Sequence, residues 1–249
     1  MGKLKSLSPI IISPREQFTW YKDLDFTAES IQEKYHGKSE NINQIYPFYR
    51  YGEYDYLSKG EPYIPGSSIK GVLKSILYQL EGNFDDIEIN EDSIEIISLY
   101  KIQNLKVENK KDKNQKKQVS KINREVFMPN IAVEAVKPQV NIEIEKIFLD
   151  YYISANNEFQ KRLKILLEYI EKIEKDNSGR GQNKNDNLGL DKVKQEIEKL
   201  THKKIFILGG YKGIINSLSD FKIGNEYESA LYLDNITNLP YGIFEIIEN

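Results

Sequence analysis

The stretch Tyr63-Ile64-Pro65-Gly66-Ser67-Ser68-Ile69-Lys70-Gly71-Val72-Leu73-Lys74 is the part of the chain best suited to chemistry, and that chemistry is the holding of an anion. Pro65-Gly66 is a turn signal, and Ser67 and Ser68 are good helix N-caps. Behind them Ile69, Val72, Leu73, Ile76, Leu77 and Leu80 repeat at helical spacing. A helix start offers N–H groups without intrahelical partners and a partial positive charge. A turn of small residues lets an anion approach those donors. The two serine hydroxyls add donors, and Lys70 and Lys74 add full charges. A phosphate suits such a site. The spacing is not that of a P-loop, which needs a longer spacer and a Gly-Lys-Ser/Thr ending. Taken alone, a Gly-Ser-Ser helix start is a weak signal and reads first as an ordinary N-cap.

Other residues could take part. Leu208-Gly209-Gly210-Tyr211-Lys212-Gly213 follows a short apolar strand and gives a glycine loop with one cation. Tyr46, Phe48, Tyr49, Tyr51, Tyr54 and Tyr56 lie close together. They could stack on bases or pack a long loop onto the domain. Lys101 to Arg124 holds nine Lys or Arg against two acidic residues, a local charge of about +7. It reads as a solvated loop or as an RNA contact. Lys161, Arg162 and Lys164 are expected on the polar, solvated face of a helix. Asp23 and Asp25 could hold a divalent metal for phosphodiester cleavage, although loop aspartates are usually only solvated. His36 and His202, the only two histidines, read as surface residues.

These residues must be placed by a fold, and composition bounds it. The 249 residues suffice for a buried core, with 39% apolar and 29% charged side chains and a net charge of −3. A disordered chain and a polybasic one are both excluded. A local basic groove is not, because the local field decides. Cysteine is absent. That excludes disulfides, iron–sulfur clusters, cysteine zinc sites and thiol nucleophiles. No metal site or cofactor is expected. No apolar stretch approaches the roughly 20 residues of a membrane span, and a soluble cytoplasmic protein is expected. Strands are expected over 4–13, within 86–107, over 131–147, at 205–208 and over 243–247. Helices are expected after Ser68, over Phe159 to Lys175 and over about 190–200. Strands mixed with helices without a βαβ rhythm predict an α+β fold. One domain over 1–249 is expected, with a helical insertion at about 155–203.

The segment 63–74 closely resembles a signature of the RAMP superfamily of CRISPR-associated proteins. In that family a Pro-Gly-Ser-Ser-hydrophobic-Lys-Gly segment opens the first helix of an RRM-like, ferredoxin-like fold. Leu7-Ser8-Pro9-Ile10 resembles the family's Leu-Thr-Pro-hydrophobic first strand. Gly209-Gly210-Tyr211-Lys212-Gly213 looks like its C-terminal glycine loop. Leu239-Pro240-Tyr241-Gly242-Ile243-Phe244 is similar to a strand near the end of some members. Val133-Glu134-Ala135-Val136-Lys137-Pro138 resembles an Arg-Glu-hydrophobic-x-Pro element. The arrangement is most similar to the family of fifth subunits of type III-A Csm complexes.

The resemblance implies a RAMP fold with long insertions. It implies a non-catalytic subunit that binds the guide (crRNA), caps its 3′ end and supports its maturation in antiviral defence. Its implied partners are other type III effector subunits and host nucleases. The implied RNA-binding residues are Gly66, Ser67, Ser68, Lys70, Gly71, Lys74, Lys137, Gly209, Gly210, Lys212 and Gly213. The alternative is a backbone subunit that cleaves target RNA with Asp23 or Asp25 and a metal. A globular interaction protein whose Gly-Ser-Ser turn is only a cap is the third reading.

Overall fold

A computed structural model describes residues 2–13, 18–35, 41–52, 55–56, 60–77, 79–102, 124–178, 189–212 and 230–248. The elements in chain order are β1 (Gly2–Ser6), β2 (Trp20–Tyr21), α1 (Ala28–Tyr35), β3 (Gln44–Tyr46), β4 (Tyr63–Ile64), α2 (Gly66–Lys74), β5 (Ile87–Glu88) and β6 (Ile94–Ile102). There follow β7 (Arg124–Val136), β8 (Asn141–Ile144), α3 (Lys146–Ser178), α4 (Leu190–Glu198), β9 (Ile205–Ile207), β10 (Leu231–Leu233) and β11 (Ile243–Glu248). The fold is α+β, as the mixed pattern of periodicities required.

Two sheets carry it. The first is antiparallel, in the order β8-β1-β11-β9. The second runs β10-β6-β7-β3-β2, and β3 against β7 is its parallel pair. A short antiparallel pair, β4 with β5, forms a separate two-stranded sheet across α2. In β1, Leu4 and Ser6 are buried while Lys3 and Lys5 are half-exposed. That is the two-residue alternation of a sheet with one dry face.

Helix α3 closes the dry face of the first sheet. Phe148, Tyr152, Ala155, Phe159, Leu163, Leu166, Ile170 and Ile173 are all buried and follow at three- or four-residue steps. Phe148 and Phe159 meet Phe206 of β9 edge-to-face, with ring centroids 5.0 and 5.4 Å apart. The helix begins at Lys146, earlier than the expected 159. The stripe simply continues backwards through aromatic and alanine positions, where leucines no longer mark it. Arg162 also departs from expectation. It is 1% exposed, with its guanidinium over the Phe159 ring at 5.6 Å and Glu158 at 3.9 Å. Three residues after Phe159, it falls on the buried side of the stripe, while Lys161 and Lys164 do face solvent.

The expected strand 4–13 divides in two. After β1, the segment Leu7–Ile12 leaves the first sheet and becomes a seam. Leu7 N–H still donates to Ile243 O at 2.8 Å. Ile10 exchanges both main-chain bonds with Val136 of β7, at 3.1 and 2.9 Å. Gly242 N–H donates to Pro9 O at 3.0 Å and Gly210 N–H to Ile11 O at 2.7 Å. One extended segment thus joins both sheets.

An ion pair locks the second sheet to the loop before β4. Arg50 (2% exposed) donates to both carboxylate oxygens of Glu134 (0% exposed), at 2.9 and 3.1 Å. Glu134 also accepts the Phe48 N–H at 2.8 Å. Arg50 further donates to Gly60 O at 2.8 Å and to Glu91. Lys34 of α1 reaches the same pair, 3.9 Å from Glu134 and above the Trp20 and Tyr56 rings at 5.1 and 4.8 Å. Burial opposes the charge on Arg50, but Glu134 and Glu91 more than offset it and its pKa is raised. Replacement Glu134→Gln removes the buried counter-charge of a buried guanidinium and leaves it only the partly exposed Glu91. We expect a loss of about 3–5 kcal/mol, read as a lower urea midpoint with an unchanged slope.

Candidate nucleic-acid interface

Helix α2 begins at Gly66, three residues before the start expected after Ser68. Pro65 is its N-cap, with φ −60° and ψ 129°, and no side chain caps the end. Ser67 and Ser68 therefore lie inside the first turn. Gly66 is the first helical residue because nothing larger fits: a Cβ there would stand 1.9 Å from the Phe84 carbonyl oxygen. Asp86 takes up the end of the helix. Its carboxylate accepts the Gly66 N–H at 2.8 Å and the Tyr51 hydroxyl at 2.9 Å. A carboxylate of this chain thus already occupies the position that a phosphate would take at the Gly66 donor. A substitution such as Gly66→Asp perturbs packing before it perturbs charge.

The charged part of the helix is its outer face. Ser67, Gly71 and Lys74 are exposed and Lys70 half-exposed, at steps of three and four residues. Ile69 and Leu73 are buried on the opposite side. A Cβ on Gly71 would meet nothing within 4 Å, so the backbone between the two lysines is bare. Lys70 Nζ donates to Asn83 Oδ1 at 2.7 Å. The face offers two cations, a hydroxyl and open main chain along about two turns.

The glycine loop reaches this helix through a chain of main-chain hydrogen bonds. Gly210 N–H donates to Ile11 O, Tyr49 N–H to Ile12 O at 3.3 Å and Tyr63 N–H to Tyr49 O at 2.9 Å. Tyr63 leads directly into Pro65 and α2. Gly209 has φ +104°, and a Cβ on it would stand 2.5 Å from Ile11 O. Both facts require glycine. Lys212 is half-buried, and burial, then the repulsion of Arg162, bring its pKa down to about 8. Lys137 is tied into a turn: Nζ donates to Asp92 O at 2.7 Å and its carbonyl accepts Ser6 Oγ at 2.6 Å. Gly213, His36, Tyr54 and most of the lysine-rich 101–124 stretch lie outside the described residues.

The tyrosines divide between the two readings. Phe48 and Tyr56 are in the core, at 0% and 3% exposure. Tyr51 is 42% exposed and stacks on Tyr63 at 4.0 Å with rings 9° from parallel. A second aromatic group escaped the sequence. Phe127, Tyr211 and Tyr232 meet with centroids 5.2 to 6.1 Å apart, and Lys101 stands 5.0 Å over Phe127. Its members are scattered over three strands and a loop, so only the sheet pairing could reveal them.

Asp23 and Asp25 lie elsewhere, in the turn after the edge strand β2. Asp25 accepts the Tyr21 N–H at 2.7 Å, and Asp23 has φ +65° and donates its N–H to Phe26 O. Among the described residues no three His, Asp or Glu side chains are grouped to hold a metal ion. No helix among them is long and apolar enough to cross a membrane.

Comparison with solved structures finds a chain in the cryo-EM structure of a Csm–crRNA–target RNA ternary complex of a type III-A CRISPR-Cas system. The two chains are 12% identical, with a TM-score of 0.53 over 99% of this chain and 100% of the other. The crystal structure of Csm5 from T. onnurineus also matches, at 12% identity and a TM-score of 0.44 over 100% of both chains. No curated protein matches the sequence. The RAMP superfamily model matches residues 52–209, a span that includes α2, the Arg50-linked loop exit, β7 and the start of the glycine loop. With more than half of its length so matched, the chain belongs to the RAMP superfamily.

Proposed function

We propose that the chain is a non-catalytic subunit of a type III CRISPR effector that binds single-stranded guide RNA and caps its 3′ end. The observation that carries this is the exposed Ser67–Lys70–Gly71–Lys74 face of α2 inside the family-matched span. Lysines on either side of a bare glycine suit a sugar–phosphate backbone laid along the helix. Its fold likeness to a chain of a Csm–crRNA–target RNA complex supports the same reading. In it, Gly209, Gly210, Lys212 and Gly213 continue the RNA path, and Lys137 supports it from the turn before β8. Other effector subunits hold the remainder of the guide. Host nucleases trim what protrudes, which sets the mature length.

Filter binding of a single-stranded guide to the full chain tests it. Lys70→Glu with Lys74→Glu should weaken binding by about tenfold or more and flatten the salt dependence by roughly 0.7 per lost phosphate contact. Unchanged affinity in the double variant would overturn the reading.

The affinity should also fall as pH rises through about 8, the pKa of Lys212, because the cation that faces RNA is then lost. Lys212→Met should bind less tightly at neutral pH and lose that step.

Asp25→Ala removes the acceptor of the Tyr21 N–H and should cost about 1 kcal/mol. Guide binding should not change. Loss of target-RNA cleavage in an otherwise assembled complex carrying Asp23→Ala or Asp25→Ala would instead make this chain the nuclease.

A further inference from the structure

The opposite flank of α2 borders a cavity of about 480 Å³ between β5 and β8. That is within the usual range of about 300–1,000 Å³ for binding pockets. Its floor is apolar: Ile69, Ile89, Ile142, Ile144 and Phe148 all line it and all are buried. Its walls also carry five carboxylates, Asp85, Asp86, Glu88, Glu143 and Glu145, and no Lys or Arg lines it. All five residues are exposed, so the mouth is acidic while the floor is greasy. Asp86 is engaged with Gly66 and Tyr51. Asp85, Glu88, Glu143 and Glu145 enter no ion pair among the described residues.

One wall is a sheet edge. β8 ends the order β8-β1-β11-β9 and bonds β1 on one side only. Ser6 N–H donates to Val140 O at 2.9 Å. Strand alternation then turns the main-chain groups of Asn141 and Glu143 to the outer side.

We propose that this groove is a protein-docking site for an extended segment of a partner chain in which apolar residues alternate with Lys or Arg. The apolar side chains enter the cavity, the basic ones meet the carboxylate rim, and the segment's main chain has the β8 edge beside it. The charge pattern selects this occupant. A phosphate backbone is repelled by the same rim, and an acidic peptide likewise. The proposal is independent of the RNA reading, since the groove and the lysine face lie on different flanks of α2.

The test titrates the full chain with a fluorescent, acetylated hexapeptide of alternating lysine and isoleucine, followed by anisotropy. A second peptide carries glycine in place of each isoleucine. The isoleucine peptide should bind about tenfold or more tighter than the glycine peptide. Glu143→Lys with Glu145→Lys should weaken it by a similar factor. Val140→Trp, which fills the cavity from its half-buried wall and leaves the charge unchanged, should do the same. Circular dichroism checks that each variant is folded. Equal binding of both peptides would reduce the site to charge attraction and overturn the proposal. So would binding that neither variant alters. Binding that appears only after deletion of residues 104–121 would overturn it too, because the chain's own lysine-rich segment would be the occupant.

Discussion

Four separate parts of the molecule hydrogen-bond to the main chain of Pro9–Ile12. Gly242 bonds to Pro9, Val136 to Ile10, Gly210 to Ile11 and Tyr49 to Ile12. These bonds use backbone groups, so they impose position without demanding side-chain identity. They also require close approach, which is why glycine stands at 209. Everything proposed about RNA depends on this seam. The glycine loop and α2 lie far apart in the sequence, and the seam links them through Ile11, Ile12 and Tyr49. The Arg50–Glu134 pair then fixes the loop that carries Tyr49. Its energy comes mainly from leaving neither buried charge alone.

Much of the frame was legible in the residues. The stripe of Ile69 and Leu73 announced α2, and Leu163, Leu166 and Ile170 announced α3. Alternation at Val140, Ile142 and Ile144 announced β8, although the single strand expected over 131–147 is divided between β7 and β8 and gives way to α3 at Lys146. The N-terminal half of α3 was not legible, because Phe148, Tyr152 and Ala155 do not look like a leucine stripe. Arg162 was misplaced for a related reason: charge suggests solvent, while helical phase decides burial. Ser67 and Ser68 looked like caps, yet Pro65 with its fixed φ already ends the extended approach. The Asp86 carboxylate at the helix end was invisible, since it comes from twenty residues away in sequence.

The site shows the same division. Local strings gave the lysine face and the glycine loop. Contacts over long sequence separation, such as Phe127 with Tyr211 and Tyr232, needed the sheet. The partition of charge around α2 also needed three dimensions. A net charge of −3 hides a basic face on one flank of a single helix and an acid-rimmed groove on the other. On the proposed readings, such a helix would separate two kinds of partner by sign alone, with no need for two domains.

The pairing of β1 has a consequence for biosynthesis. Gly2 lies opposite Glu248, and Ser6 opposite Phe244. β1 therefore waits for β11, which lies far later in the sequence, and the intervening closure is among the slowest kinds of contact to form. Its other neighbour, β8, arrives about midway, so β1 passes through a stage as a bare edge on the ribosome. Such edges recruit other nascent chains. Lys3 and Lys5, half-exposed on that strand, are the kind of charged residue that discourages edge-to-edge pairing.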